Sequence, residues 1–197
     1  NVKKLDKGCI IFNAHSVDGY RVAIVDAVNK GNQEALYWKD EFLRVIQVQD
    51  EYYNTSVYLN LCKDFAENVY GPVYQADKKD QVLMMNEALS YFDKHENFQL
   101  EQFAREVIKE PELIQQFKVH KESYDSNQGA DTAESFSIST PAVKTIKRKF
   151  KNLIKLDTEI EIKVGNAISK EGNTYIERGF DQEQGMYFYK VFFNEEA

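Results

Sequence analysis

Cysteine is scarce. The two thiols, Cys9 and Cys62, stand far apart in a chain of 197 residues and show neither metal-binding nor redox spacing. Two cysteines make no disulfide framework, which points to a reducing cytoplasm. Histidine is equally thin: His15, His95 and His120 are scattered without ligand spacing. A metal site would have to be assembled in three dimensions, and ordinary surface or core histidines are the simpler account. The chain has no glycine-rich phosphate loop and no nucleophile elbow. No catalytic residue, metal ligand or cofactor is therefore expected, and an enzyme acting on nucleic acid ranks last among the functions considered. No apolar run approaches the ~20 residues of a membrane helix, and no signal peptide is visible, so no membrane partner is expected. The chain opens at Asn1 without an initiator Met. A longer protein is expected, with an N-terminal part missing from this sequence.

What is present is a globular composition, 43% hydrophobic and 13% aromatic, and not a disordered one. A chain of this length buries roughly 70% of its unfolded surface. The net charge of -7 excludes a protein that coats nucleic acid with its whole surface. It leaves room for a local basic patch, because exposed charges more than ~8 Å apart are largely screened at physiological salt.

Periodicity divides the chain. Lys7 to Ala27 reads as a hairpin, with strands at Cys9–Phe12 and Tyr20–Val25 and a turn at Ser16–Gly19. Glu34 to Leu43 reads as a short helix that brings Tyr37 and Trp38 near the hairpin, and Arg44 to Gln49 as extended. A helix follows from Glu51, with Tyr53, Val57, Leu61, Phe65 and Val69 in one row and Gly71-Pro72 as its stop. The next, after Asp77, carries Val82, Met85, Leu89 and Phe92. A third is expected over Asn97–Lys109 and a fourth from Pro111, with Leu113, Ile114, Phe117 and His120 inward. Residues 123–133 are polar and turn-rich, as a linker is. Strands are expected at Ser135–Ser139, Glu159–Val164, Asn173–Phe180 and Met186–Phe193, the last two joined by Asp181–Gly185. The fold class is α+β: a helical middle flanked by an N-terminal β-hairpin and a C-terminal antiparallel sheet that carries one basic amphipathic helix. The expected division is 1–122, linker 123–133, and 134–197.

That basic helix is the feature above background. Thr140 reads as its N-cap and Pro141 as its first residue. Val143, Ile146, Phe150, Leu153 and Ile154 share one face through 141–155. Lys144, Arg148, Lys151 and Lys155 recur on another, with Lys147 and Lys149 on the flanks. No acidic residue lies between Glu134 and Asp157. A solvated face offsetting an acidic surface explains such a stripe as well as function does. Two details favour function: the charges are unmixed with acids, and arginine grips phosphate in a fork. Four phosphate contacts give a salt slope of about -3.6, and affinity falls about a hundredfold from 50 to 200 mM salt. Phosphate contacts carry no sequence information, so the binding expected is largely non-specific. Two weaker candidates stand beside it. Glu159 and Glu161, on one strand face, are a cation site or a solvated face. Tyr187, Tyr189 and Phe193 stack on bases or pack in a sheet.

Four stretches carry a family resemblance. They are Ala35-Leu-Tyr-Trp-Lys-Asp-Glu-Phe-Leu43, Tyr58-Leu-Asn-Leu-Cys-Lys-Asp-Phe65, Phe150-Lys-Asn-Leu-Ile-Lys-Leu-Asp-Thr-Glu-Ile-Glu-Ile162, and Tyr175-Ile-Glu-Arg-Gly-Phe-Asp-Gln-Glu-Gln-Gly-Met186 running on to Asn194-Glu195. The sequence resembles the C-terminal part of the bacterial nucleoid-associated protein family, the large kind unrelated to the small histone-like proteins. The resemblance implies a cytoplasmic protein of the nucleoid, association with double-stranded DNA, and no enzyme activity. It supplies no DNA-contact residues, so that assignment rests on charge alone. The competing expectation is a module for self-association or for docking DNA-maintenance proteins, motivated by the acidic remainder and the aromatic strands.

Overall fold

A computed structural model describes residues 7–13, 20–26, 37–46, 48–128, 132–150, 153–164, 169–170 and 173–195. The chain divides into two compact units, Asn1–Val48 and Gln49–Ala197. In the first unit, β1 (Lys7–Asn13) pairs antiparallel with β2 (Tyr20–Asp26) as expected. The turn expected at Ser16–Gly19 lies outside the described residues. The expected short helix is present over Tyr37–Leu43 as π1, a helix of the wider π type. Trp38 stacks on Phe42 within it, and Lys7 Nζ lies 5.3 Å from the centre of the Tyr37 ring. No described residue of 44–49 forms a strand; Arg44 instead takes a positive φ of 51°.

The second unit begins with α1 (Glu51–Phe65), capped by Asp50, whose side chain accepts from the Tyr53 amide at 2.8 Å. Gly71-Pro72 does not end this helical run. It widens into π2 (Ala66–Tyr70) and resumes as α2 (Gly71–Tyr74). Proline falls in the first turn of α2, where its missing N–H removes little. The run ends where Gln75 turns left-handed at φ 55° and the Ala76 amide donates to the Tyr70 carbonyl at 3.3 Å. Next comes α3 (Lys78–Lys94), capped by Asp77, with Val82, Met85, Leu89 and Phe92 buried as their spacing requires.

Residues 97–109 correct the sequence reading. Asn97–Gln99 is not helical; it is β3, followed by α4 (Leu100–Phe103) and π3 (Ala104–Ile108). Local periodicity cannot reveal β3, because its partner is far away: β4 (Ser135–Ser137), with Phe98 opposite Phe136. The helix α5 (Pro111–Gln128) runs through 123–128, within the stretch read as linker. Its Asp125 Oδ2 accepts from Lys121 Nζ at 3.0 Å and from the Thr132 hydroxyl at 2.8 Å, which ties down the approach to β4.

Phe98, fully buried, is the hub of the main core. Its ring stacks on Phe136 at 4.8 Å and on Phe92 at 5.4 Å, and meets Tyr58 at 4.2 Å and Phe103 at 5.4 Å. Such pairs contribute about 0.5–1.5 kcal/mol each beyond their buried area. A second, smaller core joins Val82 of α3 to Ile154, Val164 and Ile176. It underlies β5 (Leu153–Lys155) with β6 (Glu161–Lys163), and β9 (Ile176–Asp181) with β10 (Met186–Val191). Between them, β7 (Ser169–Lys170) pairs with β8 (Asn173–Thr174). The fold is α+β. Among the described residues its strands form separate antiparallel pairs and no single C-terminal sheet.

Two substitutions test this core. Phe98→Ala is expected to lower stability by about 3–5 kcal/mol. Thr55→Val leaves a buried Ser139 amide without its 2.9 Å acceptor, a cost of about 1–3 kcal/mol. Guanidinium unfolding measures both; a Phe98→Ala midpoint equal to that of the parent chain would show that the hub is misassigned.

Candidate functional site

The basic helix α6 spans Thr140–Lys149, shorter than the 141–155 expected. The N-cap is Ser139 and not Thr140. The Ser139 carbonyl accepts from the Val143 amide at 3.1 Å, while its own amide donates to the Thr55 hydroxyl of α1. Pro141 sits in the first turn as predicted. Ala142 and Val143 are buried, and Ile146 and Phe150 pack on the main core. The helix lies on α1 and α3, both helical, where the spacing had suggested a sheet beneath it. It ends as Phe150 goes extended at ψ 114°, its amide still bonded to the Ile146 carbonyl at 2.8 Å.

Those boundaries redistribute the expected cation row. Lys144 and Arg148, four residues apart, share a face and are exposed; Lys149 is exposed beside them. Among the described residues, no carboxylate pairs with these three. Lys147, placed on the flank, is ion-paired with Asp93 of α3. Lys151 lies outside the described residues. Lys155 is not helical: it sits on β5, and its Nζ lies 2.8 Å from Glu161 Oε1, directly across the strand pair. Both pairs are solvent-exposed, and such pairs contribute about 0–1 kcal/mol. They occupy these lysines without locking them.

The helix end also has its own use for cations. Lys147, Arg148 and Lys149 form its last turn, where the backbone dipole presents negative partial charge. That accounts for three basic residues at the terminus, but not for Lys144, a full turn earlier, nor for the missing acids.

The other candidates separate cleanly. Glu159 lies in the β5–β6 turn at φ 63° and Glu161 faces Lys155, so the two do not form an acidic pair on one strand. Among the described residues, no three His, Cys, Asp or Glu side chains converge as a metal site would require. His120 Nε2 lies 2.8 Å from Asp64 Oδ2, close enough for an ion pair but not aligned as a hydrogen bond. Tyr189 belongs to packing: it rests on the smaller core, and burial followed by the nearby Asp77 carboxylate pushes its phenol up. Tyr187 and Phe193 are exposed at 64% and 66%.

Tyr187 has neighbours that the sequence expectations do not include. The Arg178 guanidinium lies 3.8 Å from its ring centre, and Phe180 meets it edge-on at 4.9 Å. Phe188 covers Gly179 opposite it; a Cβ at that glycine would come within 2.4 Å of the ring. The available signal was the alternation Arg178, Phe180 against Tyr187, Tyr189, which puts all four on one face of a hairpin.

The second unit is thus an α+β body that displays a short basic helix and an aromatic hairpin. No helix among the described residues is long and apolar enough to cross a membrane. The family model described as nucleoid-associated protein YejK matches residues 1–182, and the chain belongs to that family. No curated protein and no solved structure matches it. Family membership gives the chain a nucleoid-associated role.

One consequence concerns Lys147. Asp93→Asn is expected to change stability by less than about 1 kcal/mol, since it removes one exposed pair. Urea unfolding reads this directly; a loss of several kcal/mol would show Lys147 to be a structural anchor and remove it from the candidate surface.

Proposed function

We propose that this chain is a non-enzymatic DNA-binding protein of the cytoplasmic nucleoid. It meets double-stranded DNA through the phosphate backbone without sequence selection. Lys144, Arg148 and Lys149 make the contacts. Lys147 and Lys155 exchange their carboxylates for phosphate when DNA arrives; Lys151, outside the described residues, is a further candidate contact by its charge and place in the sequence. The observation that carries this reading is the exposure, on one short helix of a chain whose net charge is -7, of three cations that no carboxylate pairs among the described residues. Arginine supplies a bidentate grip and the lysines supply point charges. With three contacts the salt slope is about -2.7, and affinity falls about fortyfold between 50 and 200 mM salt.

A salt-dependent mobility-shift assay on duplex DNA tests it. The triple variant Lys144→Glu, Arg148→Glu, Lys149→Glu is expected to abolish the shift, and random duplexes of one length are expected to bind alike. Unchanged binding by the triple variant would clear α6 of this role.

A second reading has its own observation. The β9–β10 hairpin exposes Phe180, Met186, Tyr187 and Phe188, an apolar tip unusual for a surface that faces only water. In this reading the chain is a docking or self-association module for DNA-maintenance proteins, and the acidic remainder keeps DNA away. A DNA-free chain whose mass rises with concentration, and stays constant in Tyr187→Ser, would favour it; a strict monomer speaks against the self-association form.

A further inference from the structure

A cavity of about 210 Å³ opens at a place unrelated to α6, between α3, π2, π3 and the start of α5. Its floor is apolar, made by Leu83, Met84, Val107 and Leu113, with Tyr70 on one wall. Its rim is acidic: Asp80, Glu87 and Glu110 against the single Lys109. The Tyr70 phenol reports the same field. Burial pushes it up first, and then the carboxylates of Asp80, Glu110, Asp77 and Glu87 push it further.

The rim already seats one cation. Lys109 Nζ reaches Glu87 at 3.0 and 2.9 Å, one contact to each carboxylate oxygen. Lys109 does so from a turn that a non-glycine residue seldom adopts. Its φ is 68° and ψ -50°, and the Glu110 amide donates across it to the Ile108 carbonyl at 2.8 Å. That is a γ-turn of the strained, positive-φ kind. Asp80 has a neighbour in Lys79 at 3.2 Å, whereas Glu110 has no cation partner among the described residues.

We infer that this cavity receives one arginine or lysine side chain from a partner protein. Its volume suits a single long side chain and not a helix or a nucleotide. The aliphatic stem would lie on Met84, Val107 and Leu113, as such stems do against apolar surface. The cation would sit against the Tyr70 ring with Glu110 as its charge partner. Charge selects this occupant: Asp80, Glu87 and Glu110 outnumber Lys109 on the lining and repel an acidic or phosphate-bearing ligand, while a purely apolar one leaves Glu110 without a cation partner among the described residues.

The test is a titration of the ¹⁵N-labelled chain with acetyl-Gly-Arg-Gly-amide and with its citrulline counterpart, which keeps the shape and removes the charge. Saturable shifts are expected at the amides of Tyr70, Met84 and Leu113, with the citrulline peptide about tenfold weaker. Glu110→Gln is expected to weaken the arginine peptide about threefold, and Lys109→Gln to tighten it by freeing Glu87. Glu122→Gln, a carboxylate on the exposed face of α5, should leave it unchanged. Absence of saturable shifts at those three amides, equal binding of the citrulline peptide, or equal weakening by Glu122→Gln and Glu110→Gln would each overturn the inference. So would weaker binding to Lys109→Gln.

Discussion

The stacking of Phe98 on Phe136 is the constraint on which the second unit depends. It joins two strands of three residues each, too short to hold together by their own ladder. What holds them is the aromatic cluster beneath, where Phe98 also meets Phe92 of α3 and Tyr58 of α1. Strand β4 is thereby fastened to the helical core, and the residues that follow it are fixed in turn. The Ile138 amide donates to the Glu96 carbonyl at 2.8 Å, and the Ser139 amide to Thr55. Helix α6 starts from that anchored point. Its outward face is therefore set by contacts on its inward side.

This arrangement explains how an acidic chain keeps a basic surface. Val143 and Ile146 hold α6 against α1 and α3, so Lys144 and Arg148 turn away from the core. The carboxylate that does come near, Asp93, takes Lys147 on the flank and leaves the others. Further on, β5 takes Lys155 out of the helix and pairs it with Glu161. Among the described residues, the acids thus take Lys147 and Lys155 and leave Lys144, Arg148 and Lys149.

Much of this was legible in residue spacing. The α+β class, the first hairpin, the buried face of α3 and the final hairpin follow from periods of 3.6 and 2 with turn residues between them. What was not legible had long-range causes. Asn97–Gln99 looks helical from its neighbours and becomes a strand because Phe136 is there to pair with Phe98. Leu153 and Ile154 fit a helix after Phe150 as well as a strand; Ile162, opposite Ile154, decides between them. At Gly71-Pro72 the expected stop fails because the proline falls in the first turn of α2, where its missing N–H removes little. At the candidate site the residue types were readable, but the Lys147–Asp93 pair was not, since it joins positions on different helices. The cavity beside Tyr70 had no sequence signature at all: its walls come from α3, two π segments and α5.

Family membership supplies a nucleoid-associated role, and in the proposed reading α6 is where the chain meets DNA. The most direct measurement is lysine reactivity toward an acetylating reagent, read residue by residue with and without random duplex DNA at low salt. Protection of Lys144 and Lys149 on adding DNA, with Lys109 and Lys118 unchanged, is the predicted result. Equal reactivity of Lys144 and Lys149 in both conditions, while the DNA is demonstrably bound, would contradict the account and place the contact surface elsewhere on the chain.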